Sequence, residues 1–125
     1  MNHRLLSLVA QLLVPGGMAA LLAGCGSYQK EENFIDRVAK ESCDLDRKCY
    51  YAFYVNEYSD YGDCIDEKVE DLENLSDFLD DIGCSYDPEG APDCVAALKQ
   101  AGRTCDDGDL EDASEACTDD IYDCD

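Results

Sequence analysis

"YGDCIDEKVEDLENLSDFLDDI", residues 61–82, decides the fold. Tyr61, Cys64, Ile65, Val69, Leu72, Leu75, Phe78, Leu79 and Ile82 recur at the ~3.6-residue period of a helix and fill one half of its circumference. Asp63, Asp66, Glu67, Glu70, Glu73, Asp77, Asp80 and Asp81 fill the other half. A stretch divided in this way is an amphipathic helix with a core-facing side and a solvated acidic side. Ser59 or Asp60 can cap its start, because their side-chain oxygens accept from the free N–H groups there. Gly83 is a natural stop at its other end.

Upstream, Glu31 to about Cys49 gathers Phe34, Ile35, Val38, Leu45 and Cys49 on one helical face. Cys43 falls on the flank of that face, so Cys43 and Cys49 point towards different partners. "CYYAFYVNEYSDYGDC", residues 49–64, joins the two helices and has a composition that favours extended or turn structure. Of its Tyr50, Tyr51, Phe53, Tyr54, Tyr58 and Tyr61, Phe53 and several of the tyrosines are expected to pack over the helix pair, since aromatics bury much area in a domain with few large aliphatics. Such rings also suit a recognition patch for a protein or glycan.

Downstream, "CSYDPEGAPDC" (residues 84–94) is rich in turn residues, and Pro88 or Pro92 can occupy a first helical turn. Ala91 to Ala101 then aligns Cys94, Val95, Leu98 and Ala101, with Cys105 just beyond on the same side and Gly102 as the expected end. "DLEDASEACTDDIYDC" (residues 109–124) aligns Leu110, Ala113, Cys117, Ile121 and Cys124, with Asp109 as N-cap and Asp112 where a capping partner would sit. No strand alternation and no internal repeat is visible. The expectation is an all-α, disulfide-stapled bundle of three to four short helices over residues 31–125.

The first 24 residues are of another kind. Met1-Asn2-His3-Arg4 is a short positive start, and Leu5 to Leu22 is apolar apart from Ser7, Gln11 and the break at Pro15-Gly16-Gly17. Small residues Ala23-Gly24 follow. This is the pattern of a cleaved secretory signal over residues 1–24. A spanning anchor would need ~20 uninterrupted apolar residues, and the Pro-Gly-Gly break lies in the middle of the run.

Leu22-Ala23-Gly24-Cys25 resembles the lipobox of bacterial lipoproteins. In that family the cysteine thiol receives a diacylglyceryl group, the signal is cut before the cysteine and the freed amine is often acylated, commonly with palmitate. The resemblance implies cleavage between Gly24 and Cys25, lipid on Cys25 and a short tether over residues 25–30. It also implies residence in the cell envelope, anchored to a bacterial membrane, with the outer membrane favoured and the domain on its periplasmic or surface face. Several acyl chains give a stable anchor, each buried methylene contributing ~0.8 kcal/mol.

Cysteine parity agrees with this reading. The chain has nine cysteines, and with Cys25 lipidated an even set remains: Cys43, Cys49, Cys64, Cys84, Cys94, Cys105, Cys117 and Cys124. Export places them where disulfides persist, although eight cysteines allow about a hundred pairings. The closest pairs, Cys43/Cys49 and Cys117/Cys124, have five and six residues between them. No C-x-x-C occurs, so neither a zinc site nor a thioredoxin-like redox site is indicated. Cys84-x-Tyr86-Asp87-Pro88, leading to Cys94-Val95-Ala96-Ala97-Leu98, further resembles the small cysteine-rich lipoproteins found as many paralogues in myxobacterium-like bacteria. That resemblance implies a fold and a location but no catalytic residue.

Charge and residue content bound the function. Thirty Asp and Glu face nine Lys and Arg, for a net charge of −21, which argues against nucleic acid and favours cationic proteins or peptides as partners. The single histidine, His3, lies in the leader. The mature chain therefore lacks the base used in Ser-His and Cys-His catalysis and in most zinc hydrolases. No catalytic residue, enzymatic activity or cofactor is expected. The alternative to a non-enzymatic envelope interaction module is a calcium-binding protein using Asp106, Asp107, Asp109, Glu111 and Asp112 around Gly108. Those acids do not follow the EF-hand spacing, and a solvated acidic tail accounts for them.

Overall fold

The computed structural model describes residues 28–119 and 121–124. The leader, the Leu22–Cys25 box and the first tether residues lie outside this range. Five helices and two short strands follow in the order α1 (Glu31–Cys49), α2 (Tyr51–Glu57), α3 (Tyr61–Asp81), β1 (Cys84–Tyr86), α4 (Ala91–Thr104), α5 (Asp107–Thr118) and β2 (Tyr122–Cys124). The chain thus forms the expected all-α, disulfide-stapled domain, with more helices than the periodicity suggested.

α1 is the central helix. Glu31 and Glu32 stand in its first turn and Arg47 and Lys48 in its last, matching the helix macrodipole at both ends. Its face of Phe34, Ile35, Val38, Ala39, Cys43 and Leu45 is buried. α3 runs antiparallel to it: Cys43 bonds Cys64, while Ser76 near the far end of α3 hydrogen-bonds Glu31. α4 runs parallel to α1, with Ala91, Cys94 and Val95 against Phe34 and Ile35 at one end and the Cys49–Cys105 bridge at the other. α5 returns antiparallel to α4 through Cys94–Cys117 and the Leu45–Ala101–Ala113 cluster.

The caps correct several expectations. Asp60 caps α3, its Oδ1 accepting from the Asp63 N–H at 2.8 Å, and Gly83 (φ +91°) turns the chain out of that helix. α4 begins one residue before Pro92 and runs through Gly102 to Thr104. Gly102 does not end it; it lies where α4 backs onto Leu45, and a Cβ there would stand 3.8 Å from Leu45 atoms. Cys105 ends it instead, in the left-handed region at φ +52°. Asp106, not Asp109, caps α5, accepting from the Gly108 N–H at 2.8 Å. Asp109 takes the Thr104 hydroxyl at 2.6 Å.

Two segments depart further. The composition of residues 49–64 predicts extended or turn structure, yet residues 51–57 form α2. The flanking bridges at Cys49 and Cys64 hold both sides of the segment, and Tyr54 drops into the Cys43–Cys64 cluster, so tertiary packing outweighs β propensity. The last helix stops at Thr118, and Tyr122–Cys124 pairs antiparallel with Cys84–Tyr86. Cys84 and Cys124 are directly opposed in that ribbon and joined by a disulfide. Ile121, fully buried, seals the core just before β2, and its carbonyl accepts from the Asp87 N–H at 2.6 Å. Strands of three residues carry too little alternation to be seen in sequence.

Candidate interaction surface

All eight cysteines of the described domain pair with one another: Cys43–Cys64, Cys49–Cys105, Cys84–Cys124 and Cys94–Cys117. Cys43 and Cys49 do take different partners. Four bridges are compatible with an extracytoplasmic protein, and no described helix is long and apolar enough to cross a membrane. Gly24 and Cys25, the predicted cleavage and lipidation residues, fall outside the described range.

The acidic Cys105–Asp112 stretch is used structurally. Asp106 is committed to the α5 cap and Asp109 to the Thr104 hydroxyl, while Asp107, Glu111 and Asp112 are exposed. Among the described residues, no three His, Cys, Asp or Glu side chains converge as metal ligands would.

The tyrosines divide into two sets. One is structural. Tyr61 donates to Asp44 Oδ1 at 2.7 Å beneath the Arg47 guanidinium, 4.8 Å from the ring centre. Tyr86 donates to the Tyr28 carbonyl at 2.6 Å, and Tyr122 donates to Glu31 Oε2 at 2.6 Å beside the Ser76 hydroxyl. Desolvation first, and the adjoining carboxylates second, push Tyr61 and Tyr86 each up to about 12 and Tyr122 further still. Lys68 reaches Asp46 Oδ2 at 2.9 Å. Burial alone would lower its pKa, but Asp46 and Tyr58 outweigh burial and raise it. These four groups are held in their resting protonation states, unlike a base or nucleophile poised near neutrality.

The second set is exposed. Tyr50, Tyr51 and Phe53, on and beside α2, are 46, 63 and 51 % exposed, so Phe53 does not cover the helix pair as expected; of the tyrosines, Tyr54 is buried and Tyr58 and Tyr61 are half-buried against the Cys43–Cys64 cluster. A helix of seven residues cannot turn all its aromatics inward. The deciding stretch shows the same outcome more sharply. Cys64 of α3 is buried and Ile65, Val69 and Leu72 are half-buried, but Leu75, Phe78 and Ile82 are 46, 58 and 57 % exposed. Leu79 is half-buried as well, so over the second part of α3 the apolar half-circumference is a core face only in part. Beyond Leu72, α1 has moved round to the Ser76 side, where Glu31 takes the serine hydroxyl at 2.7 Å, and part of the stripe lies open.

The described domain thus presents a carboxylate-rich exterior, an aromatic edge at α2 and an apolar stripe on the second half of α3. A shallow cavity of about 310 Å³ between α1 and α4, floored by Leu45 and Leu98, gathers Lys48, Lys99 and Arg103 beside Glu41 and Asp44. Lys48 is engaged there with the Arg103 carbonyl at 3.0 Å. No protein-family model matches this chain, and no curated protein or solved structure matches it either.

Proposed function

We propose that this chain is an exported lipoprotein, anchored in a bacterial envelope membrane by acyl groups on Cys25, whose acidic helical domain serves as a non-enzymatic interaction module. The observation that carries the reading is the closed pairing of the other eight cysteines. No bridge of the domain needs the ninth, and that cysteine stands in Leu22-Ala23-Gly24-Cys25, directly after an apolar leader. An exterior dominated by carboxylates, with apolar and aromatic side chains left in solvent, supports binding to a cationic partner.

Intact mass on protein extracted from membranes, unreduced and treated with an alkylating agent, tests the anchor. The expected species begins at Cys25, carries diacylglyceryl and acyl mass and takes up no alkylating agent. A chain without lipid, or one with alkylatable thiols, overturns the reading.

A further inference from the structure

α3 ends with two features that do not suit a free helix. Leu75, Phe78 and Ile82, spaced i, i+3 and i+7, form one exposed stripe along its second half. Asp71 and Asp81, one helical turn from Leu75 and Phe78 respectively, are exposed beside it. The last turn holds no basic residue, although Asp77, Asp80 and Asp81 crowd the end where the macrodipole is negative and cations are preferred. None of these aspartates forms a salt bridge among the described residues. An apolar strip edged by unpaired carboxylates at a negative helix end is complementary to a chain that carries apolar anchors and cations together.

We infer that this face of α3 is a docking surface for a cationic amphipathic segment of a partner protein, which lays its apolar side on Leu75, Phe78 and Ile82 and its Lys or Arg on Asp71 and Asp81. The inference deepens the interaction-module reading and rests on it. Lipid is the poorer occupant, because the same carboxylates would have to approach an anionic headgroup layer. A second copy is poorer still: at a net charge of −21 two copies repel.

The chain has no tryptophan, so Phe78→Trp supplies a single reporter on the stripe. The probe is a synthetic Leu/Lys amphipathic peptide about five helical turns long, titrated into the disulfide-intact protein at low and high salt. The expected result is a saturable blue shift at low salt that weakens as salt rises. In the same background, Leu75→Asn with Ile82→Asn weakens binding about tenfold, and so does Asp71→Asn with Asp81→Asn. The aspartate set removes unfavourable charge from the helix end and keeps the fold. Neutralising Glu111, Asp112 and Glu115 on α5 changes affinity less than about threefold.

Equal weakening by the α5 set reduces the effect to diffuse charge and overturns the proposal. So does the absence of a shift, or quenching of the Phe78→Trp indole by brominated phosphatidylcholine vesicles without any response to the peptide, which would seat the stripe on a bilayer. The titration runs on lipidated and unlipidated protein alike. A failed anchor therefore leaves it standing, and a failed titration leaves the anchor standing.

Discussion

Tyr122 ties the two ends of the described domain together. Its hydroxyl donates to Glu31 in the first turn of α1, and the same carboxylate oxygen takes the Ser76 hydroxyl of α3. Phe34 packs tilted against Tyr86, and Tyr86 edge-to-face against Tyr122, with ring centres 5.5 and 6.1 Å apart. Burial raises the pKa of Tyr61, Tyr86 and Tyr122 above the ordinary value of 10.0. In the unfolded chain these groups ionise at that ordinary value, whereas in the fold they stay neutral. The stability they supply is therefore complete below pH 10 and is lost as pH rises towards the folded values, the first of which lie at about 12. Urea midpoints should be flat from neutrality to about pH 10 and fall steeply above it. The triple variant Tyr61→Phe, Tyr86→Phe, Tyr122→Phe should be less stable at pH 7, by ~1 kcal/mol per lost hydrogen bond, but should show a shallower alkaline fall. An unchanged alkaline limb in that variant would remove the tyrosines from the account.

At the scale of elements, α2 is the least self-sufficient part of the described domain. Its seven residues fall below the length at which a helix stands alone in water, so its conformation depends on Tyr54 and the neighbouring bridges. Tyr54→Ala should cost ~3 kcal/mol, as for a buried aromatic, and should raise amide exchange across residues 51–57. Tyr51→Ala, at a 63 % exposed position, should stay within ~0.5 kcal/mol. Equal costs for the two would mean that α2 packs elsewhere. α2 also marks how far the sequence could be read. α1, α3 and α4 repeat their apolar residues over enough turns to declare themselves, and Asp60 and Gly83 announce the ends of α3. α2 and the β1–β2 ribbon are too short for any period to emerge and exist because distant partners hold them. The candidate surface was half legible: the stripe on α3 is plain in the sequence, but its exposure beyond Leu72 depends on how α1 crosses α3, which no local pattern records.

For the whole molecule, two opposed quantities set stability. A net charge of −21 drives the chain apart, and four disulfides restrict how far it can go. The bridges close sequence separations of 21, 23, 40 and 56 residues, each contributing about 3–4 kcal/mol through the entropy of the unfolded chain. The buried apolar set is small: beyond Phe34, Ile35, Val38, Leu45, Val95 and Ile121 it consists of Tyr54, alanines and cystines. A domain of this size has a total stability of about 5–15 kcal/mol, so the bridges cannot be dispensable. Full reduction and alkylation should therefore leave an unfolded chain at 37 °C by far-ultraviolet circular dichroism. With the bridges intact, the urea midpoint should rise as sodium chloride shortens the screening length from ~30 Å at 0.01 M to ~10 Å at 0.1 M. Urea is the proper denaturant here because it adds no ions of its own. A reduced chain that kept its helices would shift the source of stability to the packed clusters. A midpoint indifferent to salt would mean that the carboxylates lie too far apart to act on one another. The two measurements together separate covalent restraint from electrostatic strain, since salt acts on the charges and leaves the bridges untouched.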